Sequence, residues 1–416
     1  MRRTVVLIVV VMLFSHLASA GLEVEDTGGE PAKRKILITS PGVYKAEVWQ
    51  AASGGISEFY DLAADPEAKR NLARALFEVG WHGAWHIPTK GPDGKVEDKK
   101  VGGALWWPWR GVPEETTLKI LEKTPARVRV HVDSVFVPYR STDKGAKVDC
   151  TYTFYPTGKI AIRMHISKTG PTFRWSGEYG PHLMLMSEKS EDGKIIGFNH
   201  GTPKYPDYAT GTRGMWPAPA SEELSFACST TGIKTTFFIT IPPEGHKVFS
   251  RHMRHTFSGR WDRFGYGSRG VVMPEGYDTT WSCMIQMGTP GSKLAPDLKT
   301  PKDALPFAMQ YREPAKLTGV TLVTDDEGDL NKDGYNESEG CHVLKGPGPL
   351  SFTYEKGKGA AFAPAFKVMG WIGPTPKSVK LKGKNADAAA GVVDGSLILQ
   401  ILDSIQEEKA TVEIRP

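Results

Sequence analysis

The sequence predicts an all-β protein, with one large β-sandwich, a smaller C-terminal β-sandwich-like unit and few short helices. Alternation with period two dominates. Val128, Val130 and Val132 interleave with Arg127, Arg129, His131 and Asp133, the pattern of a strand with one buried face. Strand-like runs meet at turn residues, as where 150–155 leads through Pro156-Thr157-Gly158 into 159–167. The 45 Gly and 30 Pro among 416 residues break the chain too often for long helices.

From the start of the chain, Arg2 and Arg3, the apolar run 5–14 and Ala18-Ser19-Ala20 read as a signal peptide over residues 1–20. A secreted product, extracellular or periplasmic, is expected. No later apolar run reaches the ~18 residues needed to span a membrane. Removing the signal lowers the formal net charge from +5 to +3, and no Lys/Arg run marks a nucleic-acid surface. Residues 21–320 are expected to form the large β-domain, and 321–416 a calcium-type loop with the C-terminal β-domain.

Asp65, Pro66 and Glu67 read as a helix start, with Leu72, Leu76 and Phe77 as its apolar face. A second hairpin is expected from 223–229 through Thr230-Thr231-Gly232 into 233–241. Further strands are expected at 279–287, 317–323, 350–355, 365–371, 378–382, 396–402 and 410–415. Segments 168–222 and 242–278 show little periodicity and read as binding or catalytic loops. Cys150, Cys228, Cys283 and Cys341 are widely spaced without a C-x-x-C, which argues against zinc and thioredoxin-type sites. One or two disulfides, or buried thiols, remain open.

Gly54-Gly55-Ile56-Ser57-Glu58-Phe59-Tyr60-Asp61-Leu62, then Asp65-Pro66 and Asn71-Leu72, resembles the opening of galactose-mutarotase-like β-supersandwich domains. Such domains recur in polysaccharide lyases and in the C-terminal parts of α-mannosidases. The likeness is close over these residues and one of style elsewhere. It implies a fold rather than a reaction.

Two clusters carry acid, base and guanidinium groups. One is Asn199, His200, Lys204, Tyr205 and Tyr208, bracketed by Gly and Pro; the other is Arg251, Arg254, His255, Arg260 and Tyr266. β-Elimination from a uronate needs its carboxylate neutralised before the C5 proton becomes acidic enough to remove. Asn199 with Arg251 or Arg254 would neutralise, His200 or His255 would take the proton, and Tyr205 or Tyr266 would protonate the leaving oxygen. Arg254 and Arg260 also count as substrate contacts. Trp81, His82, Trp106, Trp107 and Arg110 offer flat indole faces and hydrogen-bonding groups to sugar rings. His82 and His86 have helical zinc spacing, but Gly83 and Pro88 oppose a helix and no Glu lies between them.

Asp329, Asn331 and Asp333 place oxygen side chains at alternate positions before Gly334, the beginning of a calcium loop. Tyr335 would add its carbonyl. Position twelve of an EF-hand would be Gly340, so Glu337 and Glu339 are the candidates to close it. A structural Ca²⁺ clip between strands is expected. Altogether the residues point to a polysaccharide lyase acting on an acidic, uronate-containing polysaccharide or oligosaccharide. A glycoside hydrolase and a non-catalytic carbohydrate-binding or cell-surface protein are the alternatives.

Overall fold

A computed structural model of the chain describes residues 21–415, apart from 82–84, 102–104, 109–111, 137–145, 169–172, 176–177, 187, 190–194, 197–198, 205–217, 220–222, 230–233, 250, 256–260, 270–271 and 274–275. It is an all-β protein. Among the described residues the largest sheet has eight strands, in the order Asn199–Gly201, Ser225–Cys228, Thr236–Thr240, Asp278–Gly288, Lys159–Ser167, Lys147–Phe154, Val128–Val135, Thr117–Lys123. A second sheet faces it, ordered Ala218–Pro219, Arg251–His255, Trp261–Arg269, Pro181–Met186, Ala73–Trp81, Leu105–Trp107. A four-stranded N-terminal sheet, from Glu23–Asp26 to Gly55–Asp61, packs beside them.

Alternation explains the core. Val128, Val130 and Val132 turn inward with Tyr152, Phe154, Ile160 and Ile162, and meet Phe77, Val79, Leu183, Leu185 and Phe264 of the facing sheet. Phe77 bridges the layers, edge-on to Tyr152 at 6.3 Å and to Trp107 at 6.2 Å. Each such fully buried aromatic contributes on the order of 3–5 kcal/mol against truncation to Ala. The first expected hairpin forms as read, with Cys150 opposite Met164. In the second, Ser225–Cys228 pairs with Thr236–Thr240, and its turn lies outside the described residues.

Three expectations are corrected. The run containing Leu72, Leu76 and Phe77 is a turn followed by the strand Ala73–Trp81, not a helix. Asp61 ends the preceding strand and its carboxylate holds the turn: Oδ1 accepts from the Ala63 and Ala64 amides, and Oδ2 from Thr235 Oγ1. Asn71 Oδ1 then accepts from the Phe59 and Ala73 amides, which pulls the chain straight. Second, the described residues of 168–222 and 242–278 are not all loops, because Pro181–Met186, Arg251–His255 and Trp261–Arg269 build the second sheet. Pro181–Met186 is covered on both faces, so it lacks the alternation that marks a half-exposed strand. Third, the one α-helix among the described residues is Pro301–Arg312, begun by a Thr300–Asp303 capping box with Pro301 at its first position.

The C-terminal strands form two further sheets with their own core, which includes Phe352, Phe366, Trp371 and Leu399. Lys316–Thr318 joins them by pairing with Leu350–Glu355. Polar bonds tie this unit to the sandwich. Arg127 Nη1 donates to Glu339 Oε2 at 2.6 Å, Tyr155 OH to Glu339 O at 2.6 Å, and Lys159 Nζ to Gly340 O at 2.8 Å. All four cysteines are free thiols, and Cys150, Cys283 and Cys341 are buried. No helix among the described residues is long and apolar enough to cross a membrane.

Candidate functional site

Asn199 and His200 stand on the edge strand Asn199–Gly201 of the eight-stranded sheet, opposite Cys228 and Ala227. Arg251, Arg254 and His255 lie in the other sheet, where the register sets His255 opposite Arg263. The two clusters read from the sequence therefore belong to different layers. Tyr205, His82, Arg110 and Arg260 lie outside the described residues, as do the side chains of Trp81 and Trp106, whose strands pair with Leu105 and Gly80.

Two expected site residues belong to the core. Tyr266 is fully buried among the sandwich hydrophobics, where burial pushes its phenol well above the usual range. Such a group is a poor proton donor to a bound sugar. Trp107 packs edge-on against Phe77 and offers no open face for stacking.

The second sheet carries a polar cluster that no local pattern announced. Phe77 and Val79 on one strand, Leu183 and Leu185 on the next, and Phe264 on the third all point into the core. Glu78, His182 and Arg263 therefore turn to the outer face, because successive side chains alternate across a strand. All three are buried there, with 0%, 0% and 5% of their surface exposed. His182 stands opposite Glu78 on one side and Gly265 on the other. Arg263 Nη2 donates to Glu78 Oε2 at 3.1 Å, and Nε lies 2.8 Å from Oε1, a side-on ion pair. Burial lowers the Arg263 pKa; Glu78 opposes that, and the nearby charge of Arg74 adds to it.

Glycines make the close approach possible. Gly265 has φ +155°, and a Cβ there would lie 2.2 Å from Pro181 O and 2.9 Å from His182 Cα. A Cβ on Gly180 would lie 1.6 Å from Tyr266 O. The strand bearing His182 thus nests against Trp261–Arg269 only because both positions lack side chains.

An open groove of about 420 Å³ lies at the start of the strand that bears Glu78, lined by Trp49, Glu58, Asn71, Arg74, Pro108 and Met186 among others. That volume falls in the ~300–1,000 Å³ range of ligand clefts. It mixes an indole, an amide, a carboxylate and a guanidinium, a donor set suited to a sugar. A second groove of about 420 Å³ lies on the outer face of the eight-stranded sheet, lined by Arg129, His131, Asp133, Asp149, Arg163 and Glu327 among others. Its charges are paired: His131 lies 3.1 Å from Asp133 and 3.6 Å from Asp149, and Arg163 bridges Asp149 and Glu327.

In the loop 329–339, Asp329 Oδ1 accepts from the Lys332 and Asp333 amides and Oδ2 from Gly334. Asn331 Oδ1 accepts from Asp333, and Asp333 Oδ1 from Tyr335. The loop backbone is thereby wrapped around the Asp329 carboxylate. The Tyr335 side chain is buried. Glu339 does not serve this loop, because its carboxylate lies 2.6 Å from Arg127, 3.0 Å from Arg129 and 3.5 Å from Lys367. Burial alone would raise its pKa; the three cations overcome that and hold it at about 2. Glu337 is the opposite case. Burial, with Asp333 and Asp329 close by, pushes its pKa up to about 8.

No family model matches the chain, and no curated protein matches it. Solved structures similar to it include galactose-mutarotase-like aldose epimerases and polysaccharide lyases. A putative aldose 1-epimerase from Klebsiella pneumoniae subsp. pneumoniae is 10% identical, with TM-score 0.36, over 67% of this chain and 90% of that one. A polysaccharide lyase is 9% identical, with TM-score 0.24, over 96% of this chain and 47% of that one. Heparan sulfate lyase HepC from Pedobacter heparinus is 6% identical, with TM-score 0.29, over 66% of this chain and 36% of that one. This chain thus spans less than half the length of either lyase. At such identities the likeness is one of fold alone, and at such TM-scores it carries nothing about the reaction.

Proposed function

We propose that the protein is a carbohydrate-active enzyme that cleaves a uronate-containing glycan by β-elimination at the groove lined by Trp49, Glu58, Asn71 and Arg74. The observation that supports this reading most is the burial of an ion pair and a histidine together on the sheet face turned away from the core. Burying charge is costly and contributes little to stability that well-packed apolar residues would not supply. Arg74 lines the groove and its charge acts on the buried Arg263, and a cleft whose charges perturb a buried neighbour is an arrangement expected of a site that works on a substrate.

The roles follow from chemistry. Arg74 and Asn71 in the groove neutralise the uronate carboxylate, which makes the C5 proton removable. Glu78 fixes the plane of Arg263 through the two contacts of their ion pair. Glu58, the carboxylate in the groove lining, takes the C5 proton. The electron pair of the C5–H bond forms the C4–C5 double bond, the C4–O4 bond breaks, and O4 leaves with the proton that the Glu58 carboxyl returns to it. Trp49 offers an apolar face to a neighbouring ring.

The test is incubation of the purified protein with a panel of uronic-acid polymers. Growth of the unsaturated-product absorbance is expected, together with its loss in Arg74→Gln. New reducing ends without that absorbance would show hydrolysis instead, and binding without cleavage would remove the enzyme reading altogether.

A further inference from the structure

We propose that the loop 329–337 binds a calcium ion closed by Glu337 rather than Glu339, and that the bound ion fastens the C-terminal unit to the sandwich. The donor set is all oxygen: the side chains of Asp329, Asn331, Asp333 and Glu337, and the carbonyl of Tyr335. Ca²⁺ takes ~6–8 such ligands, so water or a bidentate carboxylate completes the shell. The absence of nitrogen or sulfur from the set points away from zinc and copper.

Register supplies the carbonyl. Val343 N donates to Gly334 O at 2.8 Å, and Tyr335 is paired with His342. Hydrogen-bonded and non-bonded pairs alternate along an antiparallel ladder, so Tyr335 occupies a position whose N–H and C=O turn away from the partner strand. Its N–H goes to Asp333 Oδ1 at 2.8 Å, and its C=O leaves the ladder on that same side.

Glu337 is the independent observation. It is 1% exposed, reaches the loop from beyond its last turn, and accepts from the Leu330 amide at 2.9 Å. Among the described residues no cation is paired with it, and its charged neighbours are carboxylates. A buried carboxylate among carboxylates calls for a cation. Two residues on, Glu339 has three, and this contrast separates the ion's ligand from the latch.

The latch follows directly in sequence. Ser338 Oγ lies 2.8 Å from Ser282 Oγ, Glu339 meets Arg127 and Arg129, and Gly340 O accepts from Lys159. An ion that orders 329–337 therefore holds 338–340 in place against the sandwich.

The test is calorimetric titration of chelator-treated full-length protein with CaCl₂. One ion per chain is expected. Glu337→Gln and Asp329→Ala should weaken binding about tenfold or more, as loss of ligand charge does, while Glu339→Gln binds like the parent. No binding by the parent, or normal binding by Glu337→Gln with loss in Glu339→Gln, would overturn the assignment. Because a variant can misfold, Tb³⁺ luminescence of the unmodified protein gives a second reading. Displacement by Ca²⁺ but not by equal Mg²⁺ supports the site, and no luminescence gain refutes it. Chelation of the parent should speed amide hydrogen exchange at residues 338–340 and at Arg127 and Lys159 of the sandwich. Exchange there that is indifferent to chelation would overturn the fastening role.

Discussion

Replacing Glu339 by Gln keeps the side chain's shape and removes the charge that faces Arg127, Arg129 and Lys367. Arg127 is fully buried and keeps its other partner, Glu122, with Nε–Oε1 at 2.8 Å and Nη2–Oε2 at 2.6 Å. One of its two buried ion pairs survives, so the expected cost lies at the low end of the ~3–5 kcal/mol for breaking such a pair. The carboxyl itself gives a similar figure. Its pKa falls from 4.5 to about 2 on folding, which corresponds to about 3 kcal/mol of stability at neutral pH. A folded-state pKa below the unfolded value stabilises above pH 4.5 and is lost as pH falls toward about 2. Urea unfolding of parent and variant, followed by tryptophan fluorescence, should show a gap of about 3 kcal/mol at pH 7. That gap should narrow below pH 4.5 and nearly close near pH 2. Other acid-sensitive groups are common to both proteins, so the difference isolates this one. A gap under ~1 kcal/mol, as at an exposed pair, or one that does not change with pH, would refute the reasoning.

Glu58→Gln should lower turnover on the best uronate polymer by ~10²–10⁴, the usual contribution of a general base, with unchanged circular dichroism; near-normal turnover would move proton abstraction elsewhere. Gly265→Ala places a Cβ 2.2 Å from Pro181 O at φ +155°. It should destabilise the protein by at least ~1–3 kcal/mol, whereas Gly276→Ala, at φ +74° with open space around it, should not meet such a clash; equal denaturation midpoints for the two would count against the nesting of strands around His182. Calcium at a hundred times its Kd should stabilise the chelated protein by about 2.7 kcal/mol, read as a raised urea midpoint, and a midpoint indifferent to calcium would contradict the proposed calcium site.

The sequence by itself determined the all-β class, most C-terminal strands, the first hairpin and the oxygen-rich loop at 329. Those signals are local: Val128, Val130 and Val132 alternate because one face of their strand is buried, and Asp329, Asn331 and Asp333 bond amides only a few residues away. Where a strand is covered on both faces, as in Pro181–Met186, the period disappears and the segment reads as a loop. The apolar spacing of Leu72, Leu76 and Phe77 matched a helix, and the bonds from Asp61 and Asn71 to distant partners decided for a turn and a strand. Only the tertiary structure brought Glu78, His182 and Arg263 together, from three strands far apart in the chain. It also separated Glu337 from Glu339. Neighbouring carboxylates look alike in sequence, but sheet register and the approach of Arg127, Arg129 and Lys367 give one of them cations and leave the other among carboxylates.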